Sequence, residues 1–117
     1  MIELGISTFG ETTEIEETGI TPTHDERIRE LIEEMQLADE VGLDIYAIGE
    51  HHRKDFAVSA PEIILAAGGA VTKDIRLRSA VTVLSSADSI RVYQQYATID
   101  AISKNRFCHC MTENQRV

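Results

Sequence analysis

The sequence predicts an α/β fold of repeating strand–helix units with parallel strands, and three observations carry that reading. Segments with period-two apolar alternation take turns with segments whose apolar residues recur at helical spacing. The strands start near residues 2, 44, 75 and 107, at intervals of 42, 31 and 32. That matches the roughly 31 residues per unit of a (β/α)8 barrel of about 250 residues. The composition is that of a globular chain, with 43% hydrophobic and 26% charged residues in 117. At that length the chain supplies about half of such a barrel, a single partial domain over residues 1–117. A small open α/β sheet is the other solution, but it leaves two long edges to protect.

The first strand is read over residues 2–8, where Ile2, Leu4 and Ile6 alternate with Glu3, Gly5 and Ser7. Residues 9–24 hold two glycines, a proline, five threonines and four glutamates and read as a long loop. Thr23 with Glu26 forms a capping box opening a helix whose apolar positions are Ile28, Leu31, Ile32, Met35, Ala38 and Val41, with Gly42 as its stop. Asp44–Ile48 is a short buried strand bounded by Gly49. Ser59 with Glu62 reads as a second capping box around Pro61, ahead of a helix that is apolar on every side. Gly68 and Gly69 cost that helix about 1 kcal/mol each relative to alanine, which close approach of another element would explain. Residues 75–84 form the strongest strand pattern, and Asp88 or Ser89 caps a third helix running to about Ser103. Phe107–Met111 starts a fourth strand, and residues 107–117 end in an atypical, loose tail.

Charge and cysteine content exclude several functions. Lys and Arg total 11 against 20 Asp and Glu, a net charge of −9, which argues against nucleic acid or an anionic membrane surface as partner. The first 40 residues hold 12 of the acids but only Arg27 and Arg29 as bases, so the excess belongs to one loop and one helix face. No apolar run approaches the roughly 18–20 residues of a membrane span, and the N-terminus lacks a signal-peptide pattern. Two cysteines do not make a disulfide framework, so a cytoplasmic location is expected. Glycine-rich phosphate loops and a G-x-S-x-G elbow are absent.

In a parallel α/β fold the functional rim is built at the strand C-termini. Gly49-Glu50-His51-His52 is the segment there richest in chemistry. Adjacent histidines at a strand end point to opposite sides, so at most one faces the barrel mouth, as a candidate general base, while the other packs behind it. Alternatively, a hydrogen-bonded histidine simply pins the loop. A metal centre on Glu50, His51 and His52 is the weaker reading, because consecutive residues chelate one ion poorly. Cys108-His109-Cys110 would put two thiols on one side of a strand, too few for a closed zinc site. Tyr93 and Tyr96 read as core or interface packing.

These segments together resemble a known family. IYAIGEHHRKDFAVSAPEIILAA followed by IRLRSAVTVLSSADSIRVYQQYATIDAISKNRF is similar to the N-terminal half of the bacterial luciferase-like monooxygenases, with the resemblance covering residues 1–107. It implies a (β/α)8 TIM barrel, usually dimeric, that uses reduced FMN, or in some branches a deazaflavin, with O2 on a small organic substrate. His51 would be the base or polar group at the flavin's reactive edge. Ala80-Val81 would form the non-proline cis peptide beneath the flavin ring. Phe9, Glu50 and Thr82 would line the cofactor pocket, and no metal is implied. The dimer would be built by the helices over residues 61–72 and 89–103.

The pattern departs from the family after about strand four, where the chain reads CHCMTENQRV. The expectation is therefore a truncated copy, with a frameshift near residue 107, and reduced or no monooxygenase activity because the enclosing walls are missing. Two other functions compete with this oxidoreductase reading: a non-enzymatic half-barrel that self-associates, and a metal-dependent hydrolase.

Overall fold

The computed structural model describes residues 1–108. It holds three strand–helix units in succession: β1 (Gly5–Thr8), α1 (His24–Glu40), β2 (Ile45–Ile48), α2 (Pro61–Val71), β3 (Arg76–Ser79) and α3 (Ser89–Ile102). The strands form one parallel sheet in the order β1-β2-β3. Their register aligns Thr8, Ile48 and Ser79 in one row at the C-terminal ends. A single parallel bridge from Leu77 to Phe107 begins the fourth strand; the rest of the strand expected over Phe107–Met111 lies outside the described residues, as do His109 and Cys110. Cys108 is a free, half-buried thiol.

The core lies between sheet and helices. Tyr46, Ile48 and Leu77 from the strands meet Leu31 and Met35 of α1, Ile64 and Leu65 of α2, and Val92, Tyr96 and Ile99 of α3, all buried. The two adjacent glycines of α2 have the close neighbours their cost called for. Gly68 lies against the Met35 side chain, and Gly69 against Ser103 and Leu77. In α1 the Thr23 side chain accepts from the Glu26 N–H while the Glu26 carboxylate accepts from the Thr23 N–H at 2.8 Å, closing the expected capping box. Gly42, at φ +82°, follows the helix in the left-handed conformation that ends it.

Four readings need correction. The Ser59–Glu62 capping box does not form: the N-cap is Ala60, with no side-chain cap. Pro61 at the first helical position drives the residue before it out of the helical region, so the helix cannot start early enough for Ser59 to cap it. The third strand ends at Ser79, not Leu84, because the hydroxyls of Ser79 and Thr82 bond each other and turn the chain. The first strand begins at Gly5, not at Ile2. The long loop is partly paired, through the bridges Glu11–Phe56 and Ile15–Ile20.

Two polar anchors fix the end of the sheet remote from the strand C-termini. Arg106 spends five N–H donors on the carbonyls of Gly69, Thr72, Ile75 and Ser103 and the Thr72 hydroxyl, at 2.8–2.9 Å. It thus pins the end of α2, the start of β3 and the end of α3 together. Asp39 of α1 accepts the backbone N–H groups of Lys73, Asp74 and Ile75 at 2.7, 2.9 and 2.7 Å. Burial alone would raise this carboxyl, but the three backbone donors outweigh it and hold it below its ordinary value.

Because the carboxylate is favoured in the folded chain, its contribution is complete above the unfolded pKa, near 3.8, and is lost as the pH falls through the lower folded value. Asp39→Ala is expected to cost about 1–3 kcal/mol at pH 7, read as a lower urea midpoint. The difference from the native chain should shrink as the pH drops below 4. A difference unchanged from pH 7 to pH 2 would show that Asp39 stabilises by packing alone.

Candidate active site

The rim forms because the three strands end in phase. The Gly49 N–H donates to the Thr8 carbonyl at 2.9 Å and the Ala80 N–H to the Ile48 carbonyl at 2.8 Å. Phe9, Gly49 and Ala80 therefore stand side by side immediately beyond the ladder. A methyl group on Gly49 would run into the Phe9 ring and come within 2.6 Å of the Ala80 oxygen, so glycine is what lets the Phe9 ring cross the rim. The Ala80–Val81 peptide bond is cis, where the resemblance puts it. Val81 is 61% exposed and Phe9 38% exposed, which leaves apolar surface at the strand ends.

Strand alternation then sorts the Glu-His-His cluster. Ile48 packs into the helix-facing core, so Gly49 and His51 belong to the opposite face and Glu50 to the helix side. His51 lies between two aromatic rings, with centroids 4.6 Å from Phe9 and 4.5 Å from Phe56. Its N–H donates to the Val58 carbonyl at 2.9 Å. Residues 55–58 are themselves held against the loop after β1, by Ala57 N–H to the Gly10 carbonyl at 2.8 Å and Thr12 N–H to the Asp55 carbonyl at 3.0 Å. Among the described residues no side-chain hydrogen bond ties the His51 ring, so its two nitrogens are available to a ligand.

Glu50 and His52 occupy the other side. The His52 Nε2 lies 2.9 Å from the Glu50 carboxylate, whose side chain is 10% exposed. Both border a cavity of about 180 Å³ that Glu62, Thr82, Gln95 and Tyr96 also line. The Thr82 hydroxyl is 2.8 Å from the Ser79 hydroxyl and 2.7 Å from the Tyr96 phenol. Burial pushes that phenol above its ordinary pKa, against the lowering effect of its bonds to Thr82 and Ser79, so it is protonated at neutral pH.

The expected site residues thus fall into two groups. Phe9, packed on His51, and Ala80-Val81 lie on the rim on either side of Gly49, whereas the Glu50 and Thr82 side chains turn behind it and border the cavity. Metal binding by Glu50, His51 and His52 gains nothing from this arrangement, since His51 is turned away from the other two. Among the described residues no three His, Cys, Asp or Glu side chains cluster as a metal site. Sequence reading missed Phe56 and the link from Tyr96 to Thr82. The aromatic in K-D-F-A was the one available sign of the first; the second joins residues 14 apart and leaves no local pattern. Gly49→Ala is expected to displace Phe9 and destabilise the chain by about 1–3 kcal/mol, measured by urea unfolding. An unchanged midpoint would mean that the ring does not depend on the missing side chain.

Comparison with known proteins follows the same outline. The model of a family described as luciferase-like monooxygenase matches residues 2–109. The N-acetyl-S-alkylcysteine monooxygenase of Bacillus subtilis (strain 168) is 36% identical over 72 residues, which are 61% of this chain and 22% of that protein. The monooxygenase RslO1 from Streptomyces bottropensis superposes with a TM-score of 0.77 at 24% identity, over 91% of this chain and 31% of its own. The oxygenating constituent of 3,6-diketocamphane monooxygenase from Pseudomonas putida, a type II Baeyer–Villiger monooxygenase in complex with FMN, does so with a TM-score of 0.76 at 21% identity, over 92% and 28%. The chain spans less than a third of the length of each of the three. At their identities the two structures speak for the fold alone. The family match runs from before β1 to just past the bridge at Phe107, and on it the chain belongs to the luciferase-like monooxygenase family, its three described units being the opening units of that family's βα barrel.

Proposed function

We propose that the rim of Phe9, Gly49, His51 and Ala80-Val81 receives the ring of reduced FMN, and that the complete barrel uses it with O2 to monooxygenate a small organic substrate. The observation that carries this is the Phe9 ring, which packs on His51 and lies against Gly49 beside the Ala80 carbonyl, beyond three in-phase strands. The residues fit a flat aromatic ligand: exposed Val81 and half-exposed Phe9 offer apolar contact, and the Glu50 carboxylate is turned away behind them. Bound reduced flavin would supply the electrons by which one oxygen atom enters the substrate and the other leaves as water.

This chain's residues would do the rest. Phe9 and Val81 exclude water from one face of the ligand. His51, braced by Phe9 and Phe56 and by its own backbone bond to Val58, accepts or donates a proton at the reactive edge. Glu50 and Thr82 support the rim from behind and do not contact the ligand through their side chains. A deazaflavin is the alternative cofactor for the same seat.

A second reading has its own observation. Ile2 and Leu4 just before β1 and Ile6 within it are exposed, and Ile63 is 67% exposed on a groove of about 330 Å³ between α2 and α3. These surfaces favour self-association of a chain with no enzymatic role; in the first reading the α2–α3 face forms the dimer of the enzyme.

Titration of oxidised and anaerobically reduced FMN, followed by flavin fluorescence and absorbance, is expected to saturate. Val81→Asp and His51→Ala should each weaken binding by about 5- to 30-fold, the equivalent of about 1–2 kcal/mol. A saturating titration with a deazaflavin alone would change the cofactor. No saturation with either, in a chain that sediments as an oligomer, would favour the second reading. Ile63→Glu is expected to turn a sedimenting dimer into monomer; a native chain already monomeric would remove the α2–α3 interface.

A further inference from the structure

We infer that Tyr96 is a positioning residue for the rim: from the middle of α3 its hydroxyl, acting through Thr82 and Ser79, holds the Ala80–Thr82 turn in place. Its consequence for the cofactor rests on the reading proposed above, but its geometry does not.

The ladder gives out where the turn begins. The Ala80 N–H still donates to the Ile48 carbonyl at 2.8 Å, but β3 has ended at Ser79, and Val81 and Leu84 project into solvent at 61% and 59% exposure. Backbone pairing therefore cannot set where Val81 stands. Side-chain hydroxyls take over. Ser79 precedes the two rim residues and Thr82 follows them, and their hydroxyls are 2.8 Å apart, closing the turn on itself. The Thr82 oxygen is also 2.7 Å from the Tyr96 phenol, which ties the closed turn to α3.

Tyr96 is well suited to be the fixed end of this chain of contacts. It is 1% exposed, and its ring stacks on Phe107 with centroids 4.6 Å apart and planes 14° from parallel. Ring packing alone would be served by phenylalanine; the hydroxyl is what reaches the turn. The cavity beside it is bordered by Glu50, Glu62 and His52, polar enough to admit water that would compete for Thr82 if the phenol were absent. A protonated phenol, which burial favours, can donate to Thr82 and leave the threonine proton for Ser79.

The test uses the full chain and three variants, Tyr96→Phe, Thr82→Val and Thr82→Ser, with two readouts. Amide hydrogen exchange is measured without cofactor, and FMN affinity by titration. Tyr96→Phe and Thr82→Val should speed exchange of the Ala80 and Ser86 amides, which flank the turn and donate to Ile48 and Val83, by about three- to tenfold, as loss of one hydrogen bond would. Exchange at Leu31 and Met35 in α1 should not move. Thr82→Ser, which keeps the hydroxyl, should restore the native rate. FMN affinity should fall by a similar factor in the first two variants and recover in the third. Unchanged exchange at Ala80 and Ser86, a uniform rise across the chain, or a Thr82→Ser variant as fast as Thr82→Val would each overturn the inference. Altered local exchange in a chain that does not bind FMN at all would sink the cofactor reading and leave the positioning role standing.

Discussion

The in-phase register of three short parallel strands is the constraint on which everything else depends. Thr8, Ile48 and Ser79 end level with one another, and only for that reason do Phe9, Gly49 and Ala80 become neighbours. Side chains alternate between faces, so a slip of one residue in β2 would exchange the two faces of that strand. Glu50 would then take the position of His51, and Tyr46 and Ile48 would leave the core. The Tyr46 phenol donates to Glu34 of α1 at 2.7 Å, and Glu34 in turn is paired with Arg27. These contacts are made in one register only, so core packing and a polar network select the same alignment.

The division of labour along the sheet follows from where hydrogen bonds can be found. Toward the strand N-termini, Arg106 and Asp39 saturate backbone groups that the helix and strand ends leave open. Those contacts lock all three units together at the end remote from the rim. Toward the C-termini the ladder stops and aromatic rings and hydroxyls replace it, with His51 between Phe9 and Phe56 and the Thr82 turn on Tyr96. A rigid sheet carrying side-chain-defined loops at one end is the general economy of βα barrels.

Much of this was legible in the sequence, for identifiable reasons. Helical spacing in Leu31, Met35 and Ala38, the Thr23–Glu26 box, and the glycine pair of α2 each have a local cause that survives into the fold. The place of the Glu-His-His segment at a strand end was legible, and the alternation rule already separated its two histidines. What escaped was long-range or conditional. Ser59 was a sound cap until Pro61 moved the helix start. Thr82, Val83 and Leu84 are strand-prone residues, yet a hydroxyl contact back to Ser79 bends them out of the strand. Arg106 carries no local signal, because its role needs the ends of three elements in place at once.

The rim as a single assembled site is the central claim, and amide chemical-shift mapping on the full chain tests it most directly. Addition of oxidised FMN is predicted to move the amides of residues 8–10, 49–51 and 80–82 together, with α1 and the α2–α3 groove unmoved. Shifts confined to the groove lined by Glu62, Arg91 and Gln95, or shifts at His51 without any at Ala80–Thr82, would contradict it.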